Sequence, residues 1–247
     1  MTISSEPLVN SLFSLGPAYI LHSRKYRDSS LIVELFTAKD GRVAGVIRGA
    51  RKSKSGIVQP FSPLLVAYQG RSDLKTITKI EVLSIGSLVG ENLFIGMYVN
   101  EILFHLLGKF EATPALFYDY QELLSKLASD TFQYQSLREF EFRLLSELGY
   151  GITFDTEAGT GLAIESDTHY RFEANQGFFL AQGSGETTFD GEQLLALSKG
   201  DYGFRGVEIC AKRIIRISLN ALLEGRVLKS RALFKRHPKN NKSLRDV

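Results

Sequence analysis

Basic side chains crowd a single stretch of the chain, residues 41–60, which reads GRVAGVIRGARKSKSGIVQP. The stretch begins as an alternating strand, breaks at Gly49, and continues as a run carrying Arg51, Lys52 and Lys54 before Gly56. A loop mounted on a strand can lay cations along a phosphate backbone, because the sheet fixes its ends while the loop adapts. A charged loop that is merely solvated remains the alternative interpretation.

The distribution of charge is more informative than the net charge of +3. Residues 41–80 hold eight basic side chains against one acidic, and residues 226–247 hold the same numbers, so each segment carries +7. The remainder of the chain must then carry −11. Segregation of this kind indicates a polyanionic partner more strongly than the overall charge does.

Residues with the types and spacing of an active site are not found. The sequence has no GxxxxGK[ST] loop, no GxGxxG opening a helix and no GxSxG elbow. Its four histidines are scattered, and His105 lies in the most apolar helical segment. Glu139 and Glu141 point apart on a helix, so they make no carboxylate pair. The sequence therefore predicts a protein that is not an enzyme and uses no metal or other cofactor.

Length and cysteine content narrow the class further. The 247 residues are 44% hydrophobic and 23% charged, which is typical of a globular protein with a substantial core. The single cysteine, Cys210, excludes an internal disulfide and a cysteine-rich zinc site, and its apolar helical surroundings favour core packing. With no long apolar run and no basic leader, we expect no membrane association and a cytoplasmic, nucleoid-associated protein.

The elements that must position the basic loop are short strands. Five of them are predicted, separated by turns that contain glycine, over residues 18–23, 29–37, 41–49, 64–68 and 74–83. Five short strands in about 70 residues predict a small barrel, and the oligonucleotide-binding (OB) barrel is the main candidate. An SH3-like barrel is the structural alternative.

Helical spacing of apolar residues begins after Gly86. Residues 93–107 predict a buried helix, Thr113-Pro114 opens a second, and Ser136 with Glu139 predicts a capping box that opens a third, so we expect the three to form a bundle. Residues 151–185 return to short strands with a hairpin at Asn175-Gln176, and helices resume over 191–197 and 206–223.

The predicted fold class is α+β: a five-stranded OB-fold barrel followed by a mainly helical domain with a small inserted β-hairpin region. The segments are an N-terminal arm (1–17), the barrel (18–86), a first helical part (87–150), the inserted β region (151–188), a second helical part (189–236) and a basic tail (237–247).

Aromatic residues within the barrel region offer a second contribution to nucleic-acid binding, because bases stack on aromatic rings. Tyr19, Tyr26, Phe36, Phe61 and Tyr68 are the candidates. Phe36 and Phe61 are expected to lie in the core. Tyr26 stands between basic neighbours in RKYR, so core packing and base stacking both remain open for it.

An ordered set of segments resembles the RecO family of bacterial recombination mediators. The resemblance runs through AYILHSRKYRDSSLIVELFTAKDGRVAGVIRGARKSKS, VQPFSPLLVAYQG, GMYVNEILFHLL, LFYDYQELLSKL, LREFEFRLLSELGYG and LKSRALF, over about residues 17–236. It implies an OB barrel, a helical domain, and an inserted region that often carries a four-cysteine zinc site. Residues 151–185 contain no cysteine here, so we expect this region to be held by packing rather than by zinc.

The resemblance also implies partners. RecO-like proteins bind single- and double-stranded DNA, anneal complementary strands and, with RecR, help load RecA onto DNA coated by the single-stranded-DNA-binding protein (SSB). They recognise the acidic tail of SSB through an LRxFE segment, which matches LREFE at 137–141 and carries that role over to Arg138. An ordinary pairing of Arg138 with Glu139 or Glu141 on the helix surface is the alternative.

Charge and resemblance together give the predicted DNA-binding residues. The primary set lies in the barrel, and a second set extends it from the later helices: Arg24, Lys25, Arg42, Arg48, Arg51, Lys52, Lys54, Arg71 and Lys75, then Lys212, Arg213, Arg216, Lys229 and Arg231. A protein-interaction adaptor that uses the same cations on an acidic partner is the competing class. A nuclease would need clustered acidic residues, which the basic segments lack.

Overall fold

The computed structural model describes residues 15–50, 59–181 and 188–236. These residues divide into two compact units, with the boundary between Tyr118 and Asp119, inside the second helix. The described residues of the first unit form five strands, which are β1 (Gly16–Tyr26), β2 (Ser30–Thr37), β3 (Gly41–Ile47), β4 (Leu64–Gln69) and β5 (Leu74–Val82). All five predicted strands are present, with ends that differ by up to three residues.

The strands close into a barrel in the order β1-β2-β3-β5-β4. Neighbours are antiparallel except β3 and β5, which run parallel, and β4 closes the barrel by pairing with β1. The predicted OB barrel is therefore confirmed against the SH3-like alternative. Alternation along β2 and β3 explains the closure, since Val33, Leu35 and Ile47 all point into one apolar core.

A tight turn joins β2 to β3. Thr37 Oγ1 donates a hydrogen bond to the carbonyl of Gly41 (3.0 Å) and accepts one from the backbone N–H of Asp40 (3.0 Å). Gly41 has φ +63°, and a β-carbon there would collide with the carbonyl oxygen of Glu111. Only glycine satisfies both the turn and this close approach.

The first helix, α1 (Gly90–Leu106), packs on the barrel. Its buried Asn100 donates from Nδ2 to the carbonyls of Ile20 (3.3 Å) and Leu21 (3.4 Å), where the register of β1 shifts. An interior amide thus donates to backbone carbonyls beside the irregularity in β1. The expectation that α1 joins the next two helices in one bundle stays a prediction, and the packing partner found for α1 is β1.

The second unit holds the end of α2 (Pro114–Leu127), α3 (Tyr134–Glu147), α4 (Gly191–Ser198), α5 (Val207–Leu222) and α6 (Arg231–Arg236). Between α3 and α4 lies a three-stranded sheet, in the order β7-β6-β8, formed by β6 (His169–Glu173), β7 (Gly177–Leu180) and β8 (Thr188–Asp190). Helix α5 packs against α3 and α4. None of the helices in the described part has the length and apolar character that crossing a bilayer requires.

The predicted capping box at Ser136 was wrong. Helix α3 begins two residues earlier, at Tyr134, and its N-cap residue Gln133 makes no side-chain capping hydrogen bond. Glu139 instead accepts a hydrogen bond from the Gln135 side chain at 2.8 Å, one turn along the helix. The predicted stop at Gly149 is confirmed, since this residue takes φ +84°.

The inserted sheet is held by phenylalanine packing. Phe172, Phe178 and Phe189 come from β6, β7 and β8, with ring centroids 4.9–6.2 Å apart. Phe142 of α3 reaches the group through Phe154, at 5.2 Å. The hairpin turns at Asn175 with φ +65°, as predicted. Offset and edge-on aromatic pairs of this kind supply packing energy in a region too small for a large core.

Candidate nucleic-acid interface

One end of the barrel carries a group of exposed cations. Arg24 and Lys25 occupy the end of β1, where they pair in register with Ile32 and Leu31 of β2. Leu31 also pairs with Ile47, the last residue of β3, so Arg48 follows at the same end. The three side chains are exposed and form no ion pair with any residue in the described ranges.

The turn between β1 and β2 adds a fourth cation that the predicted set omitted. Arg27 takes φ +50°, and its guanidinium lies 5.2 Å from the ring centre of Tyr26. Tyr26 is only half-buried, which leaves base stacking open for it. Asp28 lies in the same turn and offsets one positive charge. We call Arg24, Lys25, Arg27 and Arg48 the basic end; the RKYR sequence was the signal for Arg27.

The predicted loop cations follow β3 in the sequence. Gly49 and Ala50 follow β3 in a turn. Arg51, Lys52 and Lys54 come next in the chain and lie outside the described residues. Their role in binding DNA therefore stays a prediction.

Arg42 has a different environment from the basic end. Its Nε donates to the carbonyl of Leu107 (2.9 Å), its Nη1 pairs with Glu34 (3.3 Å), and its guanidinium lies over the ring of Phe104 (5.4 Å). Only 15% of the side chain is exposed. Arg42 thus fastens the end of α1 to β3, and a phosphate would have to displace these partners.

Arg71 and Lys75 belong to the β4–β5 hairpin. Leu74 pairs with Ala44, so this turn lies beside the start of β3, whereas Arg48 follows its end. Lys75 Nζ donates to the carbonyl of Gly70 (3.0 Å) and lies 4.7 Å from the ring centre of Phe110. Arg71 is exposed. The structure therefore does not place these two residues with the basic end.

The later predicted cations belong to the second unit. Arg213 of α5 donates to the carbonyl of Thr188 (3.1 Å) and covers the ring of Phe189 at 4.6 Å, which ties α5 to the inserted sheet. Arg231 donates to Asn220 Oδ1 (3.0 Å). The other three differ in exposure: Arg216 and Lys229 are exposed, and Lys212 is half-buried.

Arg138 is buried rather than displayed. Its side chain is 5% exposed and its Nη1 lies 2.6 Å from Glu141 Oε2, within one turn of α3. Its Nε has no hydrogen-bond partner among the described residues. Burial and the negative charge of nearby Glu139 raise the pKa of Tyr202 to about 12. The pairing with Glu141 matches one alternative drawn from the sequence, but it occurs inside the unit rather than on its surface.

Three aromatic candidates in the barrel region, Tyr19, Phe36 and Phe61, are core residues. Phe36 is completely buried and packs against Phe117 at 5.3 Å, and Phe61 is 5% exposed. Tyr19 also packs on Phe117, at 5.6 Å, and burial raises the pKa of its phenol. Tyr68 is half-buried and hydrogen-bonded to Asp40. Of the five aromatic candidates, only Tyr26 lies at the basic end.

Reactive chemistry finds little support in the described part of the chain. Cys210 is buried, and burial raises the pKa of its thiol to about 12, so the thiolate nucleophile is disfavoured. Within those residues no three histidine, cysteine or acidic side chains are grouped as metal ligands would be.

Known proteins match this chain over most of its length. The family described as "Recombination protein O N terminal" matches residues 14–85, and "Recombination protein O C terminal" matches residues 89–197. The "DNA repair protein RecO" of Vibrio atlanticus is 40% identical over 89% of this chain and 93% of its own length. That of Pasteurella multocida is 41% identical, over 87% and 92%. The chain therefore belongs to the RecO family of DNA repair and recombination proteins.

Proposed function

We propose that this protein is a recombination mediator without an enzymatic cycle. It binds single- and double-stranded DNA at the basic end, anneals complementary strands and, with RecR, promotes loading of RecA onto SSB-coated single strands. This work on chromosomal DNA would make it nucleoid-associated. The observation that carries the proposal is the exposed group of cations at one end of an OB barrel in a RecO-family chain.

Electrostatics supply the mechanism. Two DNA strands repel each other through their phosphates, and a shared cationic surface lowers that repulsion, so annealing needs no nucleotide hydrolysis. If about six phosphates are neutralised, the logarithm of single-strand affinity should fall with the logarithm of salt concentration with a slope of roughly −4. A response that is flat in salt would remove this mechanism.

Annealing of bare complementary oligonucleotides by the purified protein is the direct test. A mediator accelerates annealing by itself, whereas an adaptor that uses its cations on acidic proteins does not. Replacing Arg51, Lys52 and Lys54 together by glutamate tests the predicted loop, and annealing should slow while the melting temperature is unchanged. Unaltered annealing by that variant would assign the surface to other residues.

Recognition of the SSB tail is the second part of the proposal. In this proposal Arg138, which pairs with Glu141 in the structure, exchanges that carboxylate for one of the tail, a bidentate pairing that guanidinium groups favour. Arg138→Ala should therefore abolish binding of an SSB-tail peptide and leave DNA binding unchanged. Arg143→Ala, on the exposed part of the same helix, is the matched control.

Stability must be separated from recognition in that test. Removing one partner of a buried ion pair costs about 3–5 kcal/mol, whereas replacing both by apolar residues is often neutral. The double variant Arg138→Met with Glu141→Leu keeps the fold and lacks the guanidinium, so it should also fail to bind the peptide. Peptide binding by the folded double variant would show that the tail binds elsewhere.

Annealing on SSB-coated DNA tests strand annealing and recognition of the SSB tail together. We expect the protein to anneal strands coated by intact SSB, and to lose this activity when the SSB tail is deleted. RecA loading measured with and without RecR then tests the last step. If tail deletion has no effect, recognition of the tail plays no part in the reaction.

A further inference from the structure

A cavity of about 290 Å³ lies in the second unit, between the segment that follows α3 and the β6–β7 hairpin. The wall is formed by Gly149–Thr153, Thr156–Ala158, Phe172, Asn175–Gly177 and Ser218 of α5. At this volume it lies at the small end of the range for ligand sites in proteins. It contains none of the predicted DNA- or tail-binding residues.

The backbone, rather than mobile side chains, shapes the wall. Gly149 and Gly177 take positive φ, at +84° and +112°, and a β-carbon on Gly177 would lie 3.2 Å from Cβ of Ala158. The part of the wall at residues 157–158 is fixed because Glu157 N donates to the carbonyl of Leu162 (2.8 Å) and Ala158 N donates to that of Phe178 (2.6 Å). The cavity is therefore preformed.

The chemistry of the wall selects the ligand. Tyr150 is 39% exposed and offers an aromatic face, and threonine, asparagine, glutamine and serine side chains provide neutral hydrogen-bonding groups. Glu157 is the one charged residue among those described in the wall. Glu157 Oε1 accepts the N–H of Leu180 at 3.4 Å. A carboxylate with no cation beside it in the wall repels phosphates and can accept further hydrogen bonds, so the cavity suits a flat, neutral molecule with adjacent N–H donors.

We propose that the cavity binds a guanine base of single-stranded DNA. Guanine presents two neighbouring donors, N1–H and the N2 amino group, which a carboxylate accepts together, while its rings stack on an aromatic side chain. In this arrangement Glu157 accepts both hydrogen bonds and Tyr150 stacks. The inference rests on the proposed function, because it supplies the strand that carries the base.

Base-substituted oligonucleotides test the proposal. Fluorescence anisotropy would compare a short thymine strand with the same strand carrying one central guanine or one hypoxanthine, which lacks the N2 amino group. A bidentate contact should make the guanine strand bind between about fivefold and a hundredfold more tightly than the hypoxanthine strand. Glu157→Gln should reduce that ratio to about one, because the amide no longer accepts both hydrogen bonds.

The controls keep charge and folding constant. Glu157→Gln retains the side-chain oxygen that accepts the N–H of Leu180 at 3.4 Å, so the fold should persist, and circular dichroism checks it. Glu192→Gln removes the same charge from an exposed position on α4 and should leave the ratio unchanged. Tyr150→Ala should weaken binding of the guanine strand and leave the thymine strand unaffected.

Each remaining outcome is decisive. If the thymine strand binds with no preference for guanine, the base pocket is refuted and the proposed function stands. If no strand binds at all, DNA binding itself is refuted, and the base pocket, which rests on it, is refuted with it. A guanine preference that survives Glu157→Gln places base recognition elsewhere. Competition by N-acetyl-lysinamide but not by guanosine would assign the cavity to a cationic peptide instead, and would also overturn the proposal.

Discussion

Removing three cations from the basic end should weaken DNA binding by a calculable amount. The variant replaces Arg24, Lys25 and Arg48 by glutamine, which keeps side chains of similar length at exposed positions. Each phosphate contact on a single strand contributes about −0.7 to the salt slope, so three lost contacts reduce its magnitude by about 2. If the variant and the parent protein bind equally at 1 M salt, where the electrostatic term vanishes, the variant should bind about 50-fold more weakly at 0.15 M salt. That loss of affinity equals about 2.4 kcal/mol.

A second triple variant tests whether position or total charge matters. Lys39, Lys79 and Lys109 are exposed in the same unit but lie away from the basic end, and two of them pair with Glu81 and Asp73. Their replacement by glutamine changes the net charge by the same amount and should alter the salt slope by much less than 2.

Anisotropy titrations of a thymine oligonucleotide over a series of salt concentrations give both slopes. Circular dichroism of the two triple variants confirms that they are equally folded. Equal loss of affinity in the two variants would refute a localised interface, because a diffuse field depends only on total charge. An unchanged slope in the first variant would place the DNA on another surface.

Three further predictions concern the stability of the folded protein. Arg42→Ala leaves the Leu107 carbonyl and Glu34 without their shared partner, so it should lower the free energy of unfolding by about 2–4 kcal/mol in urea titrations, far more than an exposed arginine would. Phe178→Ala opens a hole among the rings of the inserted sheet and should cost about 3–5 kcal/mol, seen as a lower melting temperature. Burial raises the pKa of Cys210 from 9.0 to about 12. The folded state therefore favours the neutral thiol. The contribution of this thiol to the free energy of unfolding is complete below pH about 9, and it falls by about 1.4 kcal/mol per pH unit between pH about 9 and about 12. Cys210→Ala should flatten that alkaline decline, and an identical decline would refute it.

Local signals in the sequence were sufficient for much of the fold. Alternation and turn residues located the strands, and the two short strands that flank Asn175 predicted the hairpin there. In the structure Asn175 takes the left-handed backbone that its side chain tolerates. The third helix shows where such signals compete. Ser136 has the right residue type for a capping box, yet α3 begins at Tyr134, because one extra half-turn needs no capping side chain when tertiary packing holds the helix.

The arginines show why the site could be predicted only in part. Arg48 and Arg42 stand six residues apart on the same strand region, yet one is exposed and the other is fastened to a carbonyl 65 residues away. Arg138 and Arg213 also have partners inside the second unit. Arg138 pairs with the buried carboxylate of Glu141, and Arg213 donates to the carbonyl of Thr188 in the inserted sheet. Residue type and spacing do not distinguish these cases, since the partners come from distant parts of the chain.

The sequence alone was sufficient to predict the fold class and the family. The periods of the strands and helices predicted the fold class, the RecO-like segments indicated the family, and the segregated charge indicated a polyanionic partner. All three depend on neighbours along the chain, which a linear pattern records. Tertiary structure decided which cations face solvent, that Arg27 joins them, and that a cavity with a single carboxylate forms beside the hairpin. Those outcomes follow from barrel closure and from buried polar groups finding partners, and both are set by contacts between residues far apart in sequence.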